Sequence, residues 1–300
     1  MKSRLHSFLL IGLAVSIGAA GCREPSSDSV GKASGGRVEE LRSFGEEAGR
    51  LAREWESIPQ FHAQFPEATL EEAGEAQAAY VETLLEKRTF AGVKGALVGE
   101  AGQKLFGIDG PLTAVLFREG WHEASRRPEI PVREGTNPGI ETELGILLGE
   151  AITEPVESIV ELKSKVKAIV PVIELPAGRH DWKEKPTATD LVATNVDSDH
   201  FIVGTATENL RVDLDSLRIR LEAGDGTLLN ETSGGEAKGG QWANFLLQVN
   251  EACRRGYRLE RGNLIISGAL GKIVREGPGS YLATYSELGS IEFSLTFERE

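Results

Sequence analysis

Histidine, cysteine and clustered basic residues are all scarce in this 300-residue chain, and each scarcity removes a class of function. The five histidines, His6, His62, His122, His180 and His200, show neither H-x3-H nor H-E-x-x-H spacing, so no zinc motif is present. Lys and Arg number 33 against 46 Asp and Glu, a formal charge of -13 with no Lys/Arg run to offset it locally. Such a chain repels phosphate backbones, which excludes nucleic acid as a partner. No G-x-S-x-G, P-loop or dinucleotide fingerprint occurs, because the glycines punctuate apolar runs rather than opening helices after them. Repeat arrays and the composition of a disordered chain are also missing, and 40% hydrophobic content is enough to bury one substantial core.

The first residues carry a targeting pattern. Lys2 and Arg4 precede the apolar run FLLIGLAVSIGAA, which closes on Ala19, Ala20 and Gly21 before Cys22. This predicts a secretory signal peptide over residues 1–21, too short for a permanent membrane span. Small residues directly before a cysteine also resemble a bacterial lipobox. Cys22 then becomes the lipid-modified first residue of a membrane-anchored lipoprotein, facing the periplasm or the cell surface. Plain cleavage beside an incidental cysteine is the alternative. With Cys22 lipidated, Cys253 has no intramolecular partner and no disulfide forms. Cys253 follows Trp242, Phe245, Leu246 and Val249 at helical spacing, which predicts core packing rather than a nucleophile.

Residues 22–37 are rich in Ser, Gly and Pro and read as a flexible tether. From Val38 to about residue 90 the periodicity is helical, and Thr69 with Glu72 forms a capping box. After Phe90 short apolar runs alternate with glycine: FAGVKGALVG, PLTAVLF, IETELGILLG, KAIVPVIELP, HFIVGTA, NLIISGAL and IEFSLTF read as strands. Asp225-Gly226 between LRIRLEA and TLLNET is a hairpin turn signal. Helices are expected at EPVESIVELKSKVKAI and QWANFLLQVNEACRRG. The sum is an α+β body over 91–300, dominated by a largely antiparallel curled sheet with helices outside it, behind a small helical segment.

Three places in that sheet carry charge where apolar residues dominate. On a strand Glu141 and Glu143 point the same way, with Cα atoms about 6.6–7 Å apart. Two carboxylates so placed can share a hard divalent cation, and equally can form the wet face of an ordinary strand. Glu174 sits in AIVPVIELP, a run that reads as buried on both sides, where an unpaired carboxylate is costly. It either meets a cation there or ends the strand in water before Pro176. Lys94 is the single charge in FAGVKGALVG: desolvated it titrates near neutrality and moves protons, exposed it snorkels.

Taken in order, VKGALVGEAGQKLFGIDGPLTAVLF, IETELGILLGE, KVKAIVPVIEL, LRIRLEAGDGTLLNET, RGNLIISGALG and GSIEFSLTF resemble the 2-keto-4-pentenoate hydratases and 4-oxalocrotonate decarboxylases of the fumarylacetoacetate hydrolase superfamily. The likeness covers roughly residues 65–298. It implies a curled mixed β-sheet, a barrel or roll, with flanking helices. It also implies Mg²⁺ or Mn²⁺ held by Glu141, Glu143 and Glu174, with Lys94 as the catalytic lysine and Glu119 in VLFREG as a nearby acidic residue. Ser267 and Gly268 in SGAL fall at substrate-binding positions. Several positions depart from the family pattern: Gly139 stands where an arginine is frequent, LPAGRHDW follows Glu174 in place of an acidic residue and Ser-Arg, and Asp197 and Asp199 occupy a loop where small residues or serine are usual. These departures bear on the substrate more than on the fold.

The chemistry suits the residue types. A 2-oxo acid chelates a divalent cation, which stabilises the enolate formed on losing a proton or CO₂, and a lysine with a lowered pKa moves the proton. The expectation is therefore an exported, metal-dependent lyase of the hydratase type for a small 2-oxo or 2-hydroxydienoic acid. Decarboxylase, C–C hydrolase or tautomerase activity on the same scaffold remains open, as do a non-catalytic periplasmic binding protein and a homo-oligomer. Cys22→Ser is expected to release the protein from the membrane fraction, as fractionation and immunoblotting would show; retention of the variant there would refute the anchor.

Overall fold

The computed structural model describes residues 27–133, 136, 138–178, 180 and 182–298, with side chains from residue 35 onward. The signal segment over 1–21 and Cys22 lie outside the described residues. The chain divides into two units, residues 1–37 and 38–300. Among the described residues no helix is long and apolar enough to cross a membrane.

Helix α1 (Ser27–Glu54) starts inside the stretch that composition assigns to a tether, since residues 27–37 have helical backbone. Once the turns after Val38 have nucleated a helix, each added residue gains a hydrogen bond for one pair of fixed dihedrals, so a polar Ser/Gly sequence can be carried along. Helices α2 (Phe61–Gln64) and α3 (Leu70–Leu85) follow, and α3 starts at the expected Thr69–Glu72 capping box. Leu41, Phe44, Phe61, Tyr80 and Leu84 share one buried cluster with Leu112, Val115 and Phe117 from the strand region. The helical segment is thus part of the same core as the sheet edge.

The remaining chain runs β1 (Phe90–Ala96), α4 (Glu100–Phe106), β2 (Leu112–Phe117), β3 (Trp121–Glu123), β4 (Glu129–Val132), β5 (Glu141–Leu148), α5 (Ile159–Lys165) and β6 (Val166–Leu175). It continues through α6 (Ala188–Ala193), β7 (His200–Val203), β8 (Arg218–Ala223), β9 (Leu228–Ser233), α7 (Gln241–Arg254), β10 (Leu264–Ile266), β11 (Gly279–Tyr285) and β12 (Gly289–Phe297). Seven strands form one sheet in the order β2-β1-β10-β5-β6-β7-β3, and five form a second in the order β4-β12-β11-β8-β9. Pairing is parallel at β1–β10, β3–β7 and β4–β12 and antiparallel elsewhere. The α+β class read from the sequence holds.

Local chemistry explains the elements that position the site. β5 and β6 are buried along almost their whole length, as expected of strands covered on both faces, whereas β11 alternates exposed and buried residues. The β8–β9 hairpin turns at Gly226, whose φ is 85°, with Thr227 N–H donating to Asp225 Oδ1. Helix α5 is shorter than its periodicity suggests. Ser158 caps it, and the β-branched run from Val166 onward passes straight into β6, where packing outweighs helical spacing.

The seven-stranded sheet is strongly curled. Lys94 on β1 and Glu174 on β6 are separated by β10 and β5, three strand spacings or about 14 Å along a flat sheet. Yet Lys94 Nζ lies 2.6 Å from Glu174 Oε1. One device that lets β1 pack so tightly is Gly92, with φ 145° beside a register irregularity, where an added Cβ would come within 1.8 Å of Leu264 O on β10. Gly92→Ala is expected to cost about 2–4 kcal/mol of stability, measured by equilibrium denaturation; a variant with the wild-type midpoint would show that β1 and β10 part there without penalty.

Candidate metal centre

Across the β5–β6 ladder Glu141 pairs with Glu174 and Glu143 with Val172. Residues directly opposite in an antiparallel pair share a face, so the three glutamates project together. Each offers a carboxylate oxygen within 4.8 Å of the others, and among the described residues no other three His, Cys, Asp or Glu side chains do so. Relative exposure is 7% for Glu141 and 0% for both Glu143 and Glu174. These values eliminate the wet-strand reading of Glu141 and Glu143 and the strand-end reading of Glu174. Val170 and Val172 alternate with Glu174 on β6, and they join Phe201, Val203, Leu264 and Ile266 in an apolar cluster beside the carboxylates.

Lys94 is buried at 1% exposure, so it does not snorkel. Nor is its pKa lowered, contrary to the expectation for a proton-moving lysine. Burial is the largest single influence and pushes the pKa down, but attraction to Glu174, Glu141 and Glu143 together outweighs it and holds the ammonium protonated. Burial raises Glu174 well above the ordinary carboxylate range. It also pushes Glu143 up to about 8, against the pull of Lys94 and with the repulsion of Glu141 added, while the Gly268 N–H favours the charged form.

The donor set fits a hard divalent cation on three counts. All donors are carboxylate oxygens. Three ionised carboxylates against one ammonium would leave two negative charges in an apolar setting; uncompensated charge there is expensive, which is why burial makes Glu143 and Glu174 retain protons that a cation could replace. Finally, Glu143 Oε1 and Glu174 Oε2 are buried without a hydrogen-bond partner. Each such atom represents a desolvation penalty of about 1–3 kcal/mol or more unless something binds it.

Ser267 and Gly268 lie beside this cluster, with their polar groups bonded within the protein. The Ser267 hydroxyl accepts from Leu144 N–H at 3.0 Å and donates to Gly268 O at 2.8 Å, which occupies it within the protein. Gly268 N–H donates to Glu143 Oε2 at 2.8 Å. Its φ of 90° and the 2.8 Å approach of Gly95 O to any added Cβ leave room for glycine alone. Tyr285, not singled out from the sequence, reaches from the second sheet and donates to Val172 O at 2.5 Å, directly opposite Glu143.

Glu119 is not brought to the cluster. It is exposed in a short turn after β2, where both carboxylate oxygens accept from Thr89 N–H at 3.0 Å. Thr89 precedes β1, so it lies five residues, roughly 16 Å of strand, from Lys94. A family position carried over by order of residues placed Glu119 near the site; in the structure it caps the start of β1.

No family model matches the chain. It is similar to a 2-keto-4-pentenoate hydratase of Burkholderia vietnamiensis, 28% identical over 208 residues that cover 68% of this chain and 78% of the relative. A 4-oxalocrotonate decarboxylase of a Pseudomonas species is 27% identical over 234 residues, covering 77% and 89%. Among solved structures, the 4-oxalocrotonate decarboxylase of Pseudomonas putida G7, complexed with magnesium and adipate, superposes with a TM-score of 0.76 at 21% identity over 86% of this chain and 98% of that one. A protein of Yersinia pestis assigned to the fumarylacetoacetate hydrolase family gives 0.53 at 9% identity, covering 69% and 94%. The resemblance read in the sequence is thus found in homologues that are hydratases and a decarboxylase, both lyases, and in the shared fold.

The buried carboxylates make the metal-free protein pH-sensitive. Folding raises the Glu143 pKa from near 4.5 to about 8, so between those values the folded state binds more protons than the unfolded state and stability falls as pH rises. The melting temperature of metal-free protein should drop from about pH 5 to about pH 8, and Glu143→Gln should flatten that slope. An unchanged slope in the variant would count against a buried, ionising Glu143.

Proposed function

We propose that this chain, a homologue of 2-keto-4-pentenoate hydratases and 4-oxalocrotonate decarboxylases with a fumarylacetoacetate hydrolase-like fold, is a divalent-metal-dependent lyase for a small 2-oxo acid, of the hydratase type. The observation that carries this reading is the convergence of Glu141, Glu143 and Glu174 on one buried face with Lys94 in contact.

Glu141, Glu143 and Glu174 would hold Mg²⁺ or Mn²⁺, which when bound supplies Lewis-acid stabilisation to the negative charge that develops on a 2-oxo acid. Lys94 Nζ is the group placed to hold and move the proton needed to ketonise a dienol before water adds to the alkene. A cation bound by the carboxylates would weaken the attraction that holds Lys94 protonated, and burial would then favour the neutral amine. Gly268 N–H keeps one oxygen of Glu143 occupied, and the other has no hydrogen-bond partner. The apolar cluster around Val170 and Val172 excludes water from the carboxylates.

Decarboxylation is the second reading, supported by the longer match to the decarboxylase relative. The chemistry differs only in what sits at the far end of the substrate. Export and lipidation of Cys22 belong to the same proposal, supported by the basic, apolar and small-residue pattern of residues 2–22.

Titration calorimetry of the purified protein with Mg²⁺ and Mn²⁺, with and without oxalate as a 2-oxo acid mimic, tests the reading. Wild type should bind, oxalate should tighten binding, and Glu143→Ala should weaken it by roughly 100-fold. No binding by wild type, or undiminished binding by Glu143→Ala, would sink the proposal. Loss of ultraviolet absorbance from 2-hydroxydienoates, with or without CO₂ release, then separates decarboxylase from hydratase.

A further inference from the structure

Helix α7 turns an unusual face into the core. Gln241, Asn244 and Gln248 are 0%, 2% and 0% exposed, although amide side chains are costly to bury unless every bond is satisfied. The bonds made by Asn244 and Gln248 run in one direction. Thr113 Oγ1 on β2 donates to Gln248 Oε1 at 2.6 Å, and Gln248 Nε2 donates to Asn244 Oδ1 at 3.4 Å. Asn244 Nδ2 then donates to Ser267 O at 2.8 Å. That carbonyl belongs to the Ser267–Gly268 peptide, whose N–H donates to Glu143 Oε2 at 2.8 Å.

Each amide therefore accepts from behind and donates forward, ending on Glu143. Hydrogen bonds aligned head to tail polarise one another, more so where the surroundings are dry. At the far end the Thr113 carbonyl accepts from Gln77 Nε2 at 2.9 Å and from the Arg255 guanidinium at 3.4 Å. Arg255 also donates to Gln77 Oε1. Backbone packing leaves the chain no slack: a Cβ on Gly95 would come within 2.5 Å of Ser267 O and 2.9 Å of Gln248 Nε2.

We infer that Asn244 and Gln248 are positioning residues for Glu143, their aligned amides fixing the Ser267–Gly268 peptide so that one carboxylate oxygen is held and the other faces a bound cation. The inference rests on the metal-binding reading above. If the amides served only to fill the helix interface, apolar side chains of similar volume would serve as well.

Calorimetry with Mg²⁺ on the purified full chain separates the two roles, with folding of each variant checked by circular dichroism. Asn244→Asp keeps the volume but turns an acceptor toward Ser267 O, and is expected to weaken Mg²⁺ binding roughly 10–100-fold. Gln248→Leu, one bond further away, should weaken it by about tenfold. Thr113→Val, isosteric and at the far end, should lower affinity by a few-fold and keeps the test available if the α7 variants fail to fold. The control is Asn250→Leu on the same helix. Its amide clamps Val156 through bonds of 2.8 and 2.9 Å instead of bonding along the amide chain, so its loss should lower the melting temperature with the Mg²⁺ Kd unchanged. Wild-type Kd values in Asn244→Asp, Gln248→Leu and Thr113→Val, or equal weakening in Asn250→Leu, overturn the inference. Absence of Mg²⁺ binding by wild type would overturn the functional reading and this inference with it, whereas binding by wild type with unaltered variants overturns this inference alone.

Discussion

Three carboxylates and one ammonium enclosed by valine, leucine, isoleucine and phenylalanine side chains form the constraint on which the rest of the structure depends. An isolated ion there would be prohibitive, and even a paired one gains little net stability because desolvation offsets attraction. The sheet therefore has to curl until Lys94 on β1 reaches Glu174 on β6. The β5–β6 register has to be held as well, since a slip of one residue would put Glu174 on the opposite face from Glu141 and Glu143. Gly92 and Gly268 are where the backbone yields to those demands.

The surroundings of that centre act as a frame. Tyr285 ties the five-stranded sheet to the backbone of β6 opposite Glu143, and α7 reaches the same residue from the other direction through Asn244 and the Ser267–Gly268 peptide. A glutamate with one oxygen restrained and one unpartnered is prepared for a ligand before the ligand arrives, which reduces the ordering that binding must accomplish. The site is consequently a property of two sheets and a helix, although its charged groups come from three strands.

Much of this was legible in the sequence, for identifiable reasons. Strand alternation placed Glu141 and Glu143 on one face, and the apolar flanks of Glu174 and Lys94 made them stand out while leaving burial and exposure both open. What alternation lacks is the third dimension. It left the wet-strand and buried readings of the same glutamates unresolved, because only the curl and the register across β5 and β6 decide between them. The expected depression of the Lys94 pKa failed for a related reason: apolar flanks allow for desolvation, but the summed attraction of three carboxylates from two other strands cannot be read from them. Glu119 was misplaced because order along the chain says nothing of which end of a strand a turn occupies. Gln241, Asn244 and Gln248 did carry a signal, amides at spacings of three and four in an amphipathic helix, but the apolar residues beside them drew attention to packing.

The buried amides of α7 also bear on how such a protein drifts. Selection for a tighter core favours leucine at positions 244 and 248, since apolar replacements of buried polar groups are often neutral or stabilising. Only continued use of the centre opposes that pressure. Within a lineage, descendants that still handle a ligand should retain both amides, while those whose glutamates have decayed are free to grease the helix. The polar face of α7 is then a record of whether the carboxylates it leads to are still employed, readable in a relative whose chemistry has never been assayed.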